Sequence, residues 1–553
     1  MDEAGNGKMN ANVNENADFD QSYYNNSFNE KDSSCLSVGD TPVDRKSNDS
    51  LNLGQIIKET GDFGRFQVLS FAYTSIVLVT LTWSMLTMAF TATIPDWSCV
   101  IGGNTSEPKV CDVNGSTCDA ISFSEDMSTA VSQWTLVCDN KWISQSITTI
   151  QMTGLLVGGL VWGHISDGIG RKPTFFFNLA LLGVFNLISV FSVNWEMFAA
   201  MRFVIGFGCT GFMASSLTFE FIRNKWRVYL FLVPSWAFWA SMMAVFCWRV
   251  PDWRYIHVVV AAVTLPGLLG WFFLPESFRW LVSHGRVEEA ENSIKYVAKI
   301  NGKPPPDLDK LKAVIEKEQL AAKETKALQV YTVLDLFRTS KIRKTTILFS
   351  LIWLFSAYSY YGIAFGVQEL SGSLYLNMFL VSIVDVPGNI LVVIFNTCGG
   401  RKWTCVGFYL LGGIFAVVVG VFQYINFSIS GSMLNSLALA AKLCVSAAWE
   451  INTLWSNESF PTVVRMIGGG FVSSISRVGS MVAPQIITLS VDRPGLLYFL
   501  ISGIVCVLSS AMCVFLEETK NKDLSDMLPQ KTKRLPDDTF YGEKTIQVET
   551  VKH

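Results

Sequence analysis

From about residue 66 to residue 516 the chain alternates between long uncharged apolar runs and short polar breaks. Each run is close to the ~20 residues that an α-helix needs to cross the hydrocarbon core of a bilayer. The pattern predicts twelve such helices, at 68–93, 143–163, 173–193, 198–221, 228–248, 255–274, 345–366, 374–397, 403–424, 434–456, 467–489 and 495–516. The second and tenth are the least apolar, being rich in Ser, Thr, Gln or Asn.

Composition agrees with this pattern. Half the residues are hydrophobic and 16% are charged, against about a quarter in soluble chains. The net charge of −3 gives no basic surface for nucleic acid. The stretches 1–64 and 517–553 are polar and are expected to be disordered tails. The first lacks a basic region followed by an apolar core, so no cleaved signal peptide is expected. An even helix number puts both tails on one side.

Positive residues in short loops set orientation. Arg171 and Lys172 follow the second run, Arg223, Lys225 and Arg227 the fourth, Arg401 and Lys402 the eighth, and Arg465 the tenth. All fall on the side of the tails, which is expected to be cytoplasmic, although Arg249 and Arg254 run against the trend. The opposite loop 94–142 holds Cys99, Cys111, Cys118 and Cys138 and N-x-[ST] sequons at Asn104 and Asn114. Bridges and glycans both belong outside the cell. Four cysteines allow three pairings, and the sequence does not choose among them.

The two halves echo each other. "GHISDGIGRKP" after the second run and "NTCGGRKW" after the eighth both set Gly-Arg-Lys in a short turn. Glu220 to Arg227 and Glu458 to Arg465 both place an acid seven residues before an arginine. Arg202 and Lys442 lie early in the fourth run of each half, and "LPESFRWL", with Glu276, corresponds to "LEETKNKD". Parallel six-helix repeats point to an all-α membrane protein of the major facilitator fold, with a 65–274 bundle and a 344–516 bundle. The charges Asp167, Arg171, Lys172, Arg202, Glu220, Arg227, Glu276, Arg401, Glu458 and Arg465 are expected to latch and release the halves on the tail side.

Residues 60–525 resemble the organic ion transporters of solute carrier family 22. The resemblance rests on the Cys-bearing outer loop, "GHISDGIGRKP", "PESFRWL", "DLFR", "YYGIAF", "ESFPTVVR" and "SRVGSMVAP". It implies an alternating-access carrier of organic cations, zwitterions or anions in the plasma membrane, and it looks most like the carnitine and zwitterion branch. Two departures concern the latch: Gly168 follows Asp167, and Cys398 and Gly399 stand where the second-half loop would carry an acid.

Three charges sit inside apolar runs: Asp385, Glu450 and Arg477. An Arg at a helix centre costs roughly 2.5–3.5 kcal/mol on insertion scales, so such groups normally face a wet path or one another. In the family the Arg477 position tends to be Arg in anion and carnitine carriers and acidic in cation carriers. The Asp385 position tends to be acidic throughout, and anion carriers often have Lys where Asn389 stands. One plus and two minus suit a zwitterion or a cation, with a carboxylate on Arg477 and an ammonium near Asp385 or Glu450. The alternatives are a bracing Asp385–Arg477 pair and an organic-anion exchanger built on Arg477.

Aromatic faces attract ammonium groups. Trp353, Tyr358, Tyr361 and Phe365 punctuate the seventh run and Trp236 the fifth, while Gln151 is a polar wall candidate. Pro387 and Gly388 are expected to break the helix beside Asp385. The segment 275–343 reads as short amphipathic helices under the bundle. No P-loop, H-E-x-x-H or G-x-S-x-G occurs, so neither direct ATP drive nor an enzyme is expected. No cofactor or metal is expected, and a Na⁺ or H⁺ coupling ion is left open. A non-transporting sensor on a carrier fold is the remaining alternative.

Overall fold

The computed structural model describes residues 59–520, apart from 62–63, 102–103, 109–110, 114–115, 215–224, 306, 308, 310, 317–331, 366–369, 426–429, 462–463 and 490–493. Most of both expected tails, Asn114 and Glu220 lie outside the described residues, as do the side chains of Asn104 and Arg227.

The first half contains α1 (Arg65–Leu86), α2 (Lys141–Ile169), α3 (Arg171–Val190), α4 (Trp195–Ala214), α5 (Lys225–Arg249) and α6 (Trp253–Leu268). Two short helices follow, α7 (Phe278–Ser283) and α8 (Val287–Ile300). The second half contains α9 (Ser340–Phe365), α10 (Leu374–Ile383), α11 (Asp385–Tyr424), α12 (Gly431–Ser459), α13 (Arg465–Leu489) and α14 (Pro494–Val514). α11 is broken at Gly400, so it supplies the end of the eighth expected run and all of the ninth. Among the described residues, eight helical stretches are long and apolar enough to cross a membrane, and one of them, Leu374–Tyr424, spans both of those runs.

α2 packs on α4, α3 on α4 and α6, and α1 on α5 and α6. In the second half α11 packs on α12 and α14, and α9 on α13. Glycines set the closest of these approaches, because without a hydrophobic drive between helices small residues let backbones meet. A Cβ on Gly154 or Gly206 would strike the facing backbone carbonyl, which fixes α2 against α4. A Cβ on Gly479 would strike the Leu354 carbonyl, which fixes α13 against α9.

Each Gly-Arg-Lys turn is built the same way. Gly170 has φ 108° and Gly400 has φ 76°, the left-handed region that favours glycine. Glu276 accepts from the amides of Arg171 at 3.1 Å and Lys172 at 3.0 Å. Glu518 accepts from Arg401 at 3.0 Å and Lys402 at 2.9 Å. A carboxylate therefore caps the positive start of the helix that follows each turn. A Cβ at either glycine would lie 2.6 or 2.7 Å from that carboxylate.

Two faces can be named from these features. The basic face carries the Gly170 and Gly400 turns. The disulfide face carries five short strands, β1 (Trp97–Ile101), β2 (Asn104–Pro108), β3 (Asp112–Val113), β4 (Ser116–Thr117) and β5 (Ala120–Phe123). β1 pairs antiparallel with both β2 and β5, and β3 with β4. Of the three possible pairings, the structure has Cys99–Cys118 and Cys111–Cys138.

The halves meet through α2 against α13 and α5 against α10. Gln485 Nε2 donates to Thr149 Oγ1 at 2.9 Å, and that hydroxyl donates to the Met481 carbonyl at 3.1 Å. Phe90 lies 6.3 Å from Tyr375. These ties sit toward the disulfide face, since α2 starts and α13 ends there. On the basic face α7 and α8 close a small core of their own on Phe66. The end of the N-terminal stretch, expected to be disordered to residue 64, is held: Thr60 is buried, and Asn301 Nδ2 donates to its carbonyl at 2.9 Å.

Candidate substrate site

The charged centre of the second half is built from α9, α11, α12 and α13. Lys442 of α12 is buried and lies 3.3 Å from Asp385 Oδ1. Tyr360 of α9 donates to the other Asp385 oxygen at 2.9 Å, and the Lys442 ammonium sits 3.2 Å from the centre of the Tyr360 ring. Two opposite charges share one desolvated spot, where either alone would be costly. The chain arrives there through a break in the helical ladder at Val384, immediately before Asp385. That is three to four residues before Pro387 and Gly388, where Pro387 has no N–H to offer the Ile383 carbonyl.

The expected Asp385–Arg477 pair is not formed. Lys442 takes Asp385 because α11 and α12 are direct neighbours. Arg477, on α13, instead reaches the Tyr361 hydroxyl at 3.4 Å and makes no ion pair among the described residues. It is placed there by the close α9–α13 approach at Gly479, two residues on. Glu450 has no hydrogen bond or ion pair among the described residues and feels the charge of Asp385. The second-half charges are therefore Arg477 and Lys442 against Asp385 and Glu450, two plus and two minus. Asn389 Oδ1 is buried without a hydrogen-bond partner one turn from Asp385.

An aromatic cluster surrounds these groups. Trp449, next to Glu450, lies 5.3 Å from Tyr360, 6.1 Å from Tyr361 and 4.8 Å from Trp353. Tyr361 stacks on Phe365 at 6.1 Å. Trp236 of α5 comes near the Tyr360 hydroxyl, so the first half borders the centre. Tyr358 departs from the expected stripe. It packs on Tyr498 at 5.8 Å and lines an apolar crevice with Val478 and Ile501, turned away from Arg477. Trp353 is buried in the second-half core and reaches the centre only through Trp449.

Two further expectations change. Gln151 is not an open wall, because both ends of its amide are used. It donates to the Ser84 and Met85 carbonyls at 3.3 and 3.1 Å and accepts from Arg202. Arg202 is not a latch residue. It is fully buried, eight positions into α4 from the disulfide-face end, and also donates to the Ser84 carbonyl at 2.6 Å. Asn186 joins this network by donating to Ser84 Oγ at 2.9 Å, and its carbonyl faces His257 Nδ1 at 2.7 Å. Each half thus has a buried cation on its fourth helix tied to a polar side chain on its second. Among the described residues, only the second half supplies a carboxylate there.

Most of the remaining described latch candidates are engaged within their own halves. Arg401 binds Glu458 through Nε and Nη2, both at 3.0 Å. Arg465 Nε donates to the Phe460 carbonyl at 3.3 Å, and Trp280 Nε1 to the Asp167 carbonyl at 3.0 Å. The Asp167 side chain is exposed. Lys172 lies 4.9 Å from the Trp271 ring centre.

Comparison with known proteins agrees with this architecture. A family model described as sugar (and other) transporter matches residues 111–529. Solute carrier family 22 member 6 of Danio rerio is 30% identical over 473 residues, covering 80% of this chain and 82% of that protein. The chain belongs to solute carrier family 22. Organic cation/carnitine transporter 2 of Homo sapiens is 31% identical over 426 residues, covering 74% of this chain and 73% of that protein. Organic anion transporter 3 of Sus scrofa is 28% identical over 515 residues, covering 86% and 93%. The inward-open xylose transporter XylE of E. coli matches with a TM-score of 0.58 at 15% identity, covering 82% of this chain and 97% of that one. That likeness shows the major facilitator fold. A family 22 protein is a membrane transporter and not an enzyme.

Sequence reasoning missed Lys442 as a site residue, and Tyr360 and Trp449 altogether. The signal for Lys442 was present, as a lysine in "LALAAKLCVSAAWE" sits inside an apolar run. For Tyr360 the sequence holds no direction, since "AYSYYG" offers several rings around the helix.

Proposed function

We propose that this chain carries small organic zwitterions or cations, of the carnitine, betaine or quaternary amine kind, across the plasma membrane by alternating access. The observation that carries the reading is the division of charge. Asp385 is already matched by Lys442, whereas Arg477 has one 3.4 Å hydroxyl contact and Glu450 has no described partner. A substrate carboxylate pairs bidentately with Arg477. A substrate ammonium takes the side of Glu450 among Tyr361, Phe365 and Trp449, each ring adding ~0.5–2 kcal/mol. The basic face is cytoplasmic with both tails, following the positive residues of its loops. The described ties between the halves lie toward the disulfide face, so the conformation opens to the cytoplasm. Asp167, Arg171, Glu458 and Arg465 latch the basic face in the opposite state.

The test is uptake by cells expressing the chain. A betaine-like zwitterion and a quaternary amine are taken up with saturation, and a dicarboxylate is not. Arg477→Ala lowers uptake of the carboxylate-bearing substrate at least tenfold and of the quaternary amine less than threefold. Equal losses assign Arg477 to bracing, and saturable binding without flux assigns a sensor. The second reading, organic-anion exchange, is favoured by Lys442: with Asp385 matched, removal of the Glu450 charge leaves Arg477 as the net charge. Glu450→Gln should therefore lower cation uptake at least fivefold and raise anion uptake, and an unchanged preference places Glu450 outside the substrate path.

A further inference from the structure

A groove of about 470 Å³ opens at the edge of the first half on the basic face, far from the charged centre. Its walls are the start of α3, the segment that follows α6 and the exposed side of α8. It lies where the α6 span ends and α3 begins, at the level of the headgroups of the adjoining leaflet. Trp271 forms one wall, and Phe272 and Phe273 flank it at 78% and 65% exposure, pointing out where acyl chains lie.

The polar side of the groove is donor-rich. Lys172 reaches in with its ammonium over Trp271 and makes no ion pair among the described residues. Glu276 is close, but its oxygens accept from the amides of Arg171, Lys172 and Ser277. Arg286 is held by Glu289 at 2.7 Å and keeps further N–H donors toward the groove, beside Asn292, Ser293 and Tyr296. A cation backed by amide, hydroxyl and phenol groups fits a phosphodiester, and the aromatic rim fits the two chains attached to it.

We propose that this groove binds the headgroup of an anionic phospholipid, with the phosphate against Lys172 and the acyl chains along Phe272 and Phe273. The counterpart in the second half, Lys402 over Trp403, has no helix equivalent to α8 to roof it among the described residues, and it serves as an internal control.

The experiment is native mass spectrometry of the full chain in detergent, titrated with equal amounts of phosphatidylglycerol and phosphatidylcholine. The expected preference for phosphatidylglycerol is roughly fivefold, the size that one cation gives beside anionic lipid. Lys172→Gln removes the preference and Lys402→Gln keeps it. Asn292→Trp, at an exposed position that fills the groove without disturbing a buried atom, also removes it, so the proposal stays testable if Lys172→Gln fails to fold. Excess inorganic phosphate leaves the bound lipid in place. The proposal is overturned if the wild type shows no preference, if the preference survives in folded Lys172→Gln or in Asn292→Trp, or if inorganic phosphate displaces the lipid, which would assign a soluble phosphate instead.

Discussion

At the scale of single residues, the decisive event is the capture of Asp385 by Lys442. Asp385, Glu450 and Arg477 were all legible as charges in apolar runs, because few ionisable groups enter a membrane without a task. Their partners were not legible. Pairing depends on which helices touch and on how each is rotated, and a sequence fixes neither to better than a turn. Arg202 shows the same limit from the other side. Its order in the repeat matched Lys442, but its place eight residues into α4 buries it against Gln151 rather than at the basic face. Buried pairs are weak evidence for stability but are costly to break singly, by about 3–5 kcal/mol. Lys442→Met alone is therefore expected to leave Asp385 uncompensated and to reduce folded protein sharply. The double change Lys442→Met with Asp385→Leu should recover folded protein at the surface without necessarily restoring transport. Detergent thermal unfolding of the three proteins checks this, and a single variant as stable as the double one would remove the pair from the account.

At the scale of elements, the Gly-Arg-Lys turns were the clearest reading in the chain, and their mechanism emerged only from the fold. The sequence showed a glycine before two cations, twice, and an acid far downstream, twice. It did not show that each acid returns to cap its turn, since Glu276 and Glu518 lie more than a hundred residues from the amides they bind. Burial pushes the Glu518 carboxyl up, but the amides of Lys520, Lys402, Arg401 and Thr519 outweigh that and hold it below the usual value. A depressed carboxylate stabilises the fold above its unfolded pKa of about 4.3, and that contribution is lost as pH falls through the lower folded value. Glu518→Gln should thus destabilise the detergent-solubilised protein at pH 7 by about 1.5–2 kcal/mol, the low end of the range for charged hydrogen bonds, because the carboxylate is partly exposed. The difference from wild type should shrink as pH falls below about 4. Thermal unfolding at the two pH values measures it, and a gap that does not narrow would mean that packing rather than charge supplies the stabilisation. Gly400→Ala should be at least as harmful, because it strains φ and crowds the same carboxylate.

At the scale of the whole molecule, the two halves, their repeat and the Cys-bearing loop were visible from the pattern of apolar runs and motifs. The state of the transporter was not, because opposite states share every helix and differ only in which ends of the halves touch. In this structure the seam between α2 and α13 closes toward the disulfide face through Thr149, Gln485 and the Met481 carbonyl. Two hydrogen bonds worth about 1 kcal/mol each set the scale on which this seam biases the equilibrium. Removing them with Thr149→Val and Gln485→Ala should shift the population toward the opposite state by roughly thirtyfold. Tyr375, at the disulfide-face seam beside Phe90, reports on that opening. A cysteine placed at residue 375 should react faster with an impermeant maleimide applied to the disulfide face once Thr149 and Gln485 are replaced, and substrate added to that face should bind more tightly. If labelling is unchanged while the protein still folds and transports, the bias must come from the basic face, where Arg401–Glu458 and the Glu276 cap hold each half in the shape that keeps them apart.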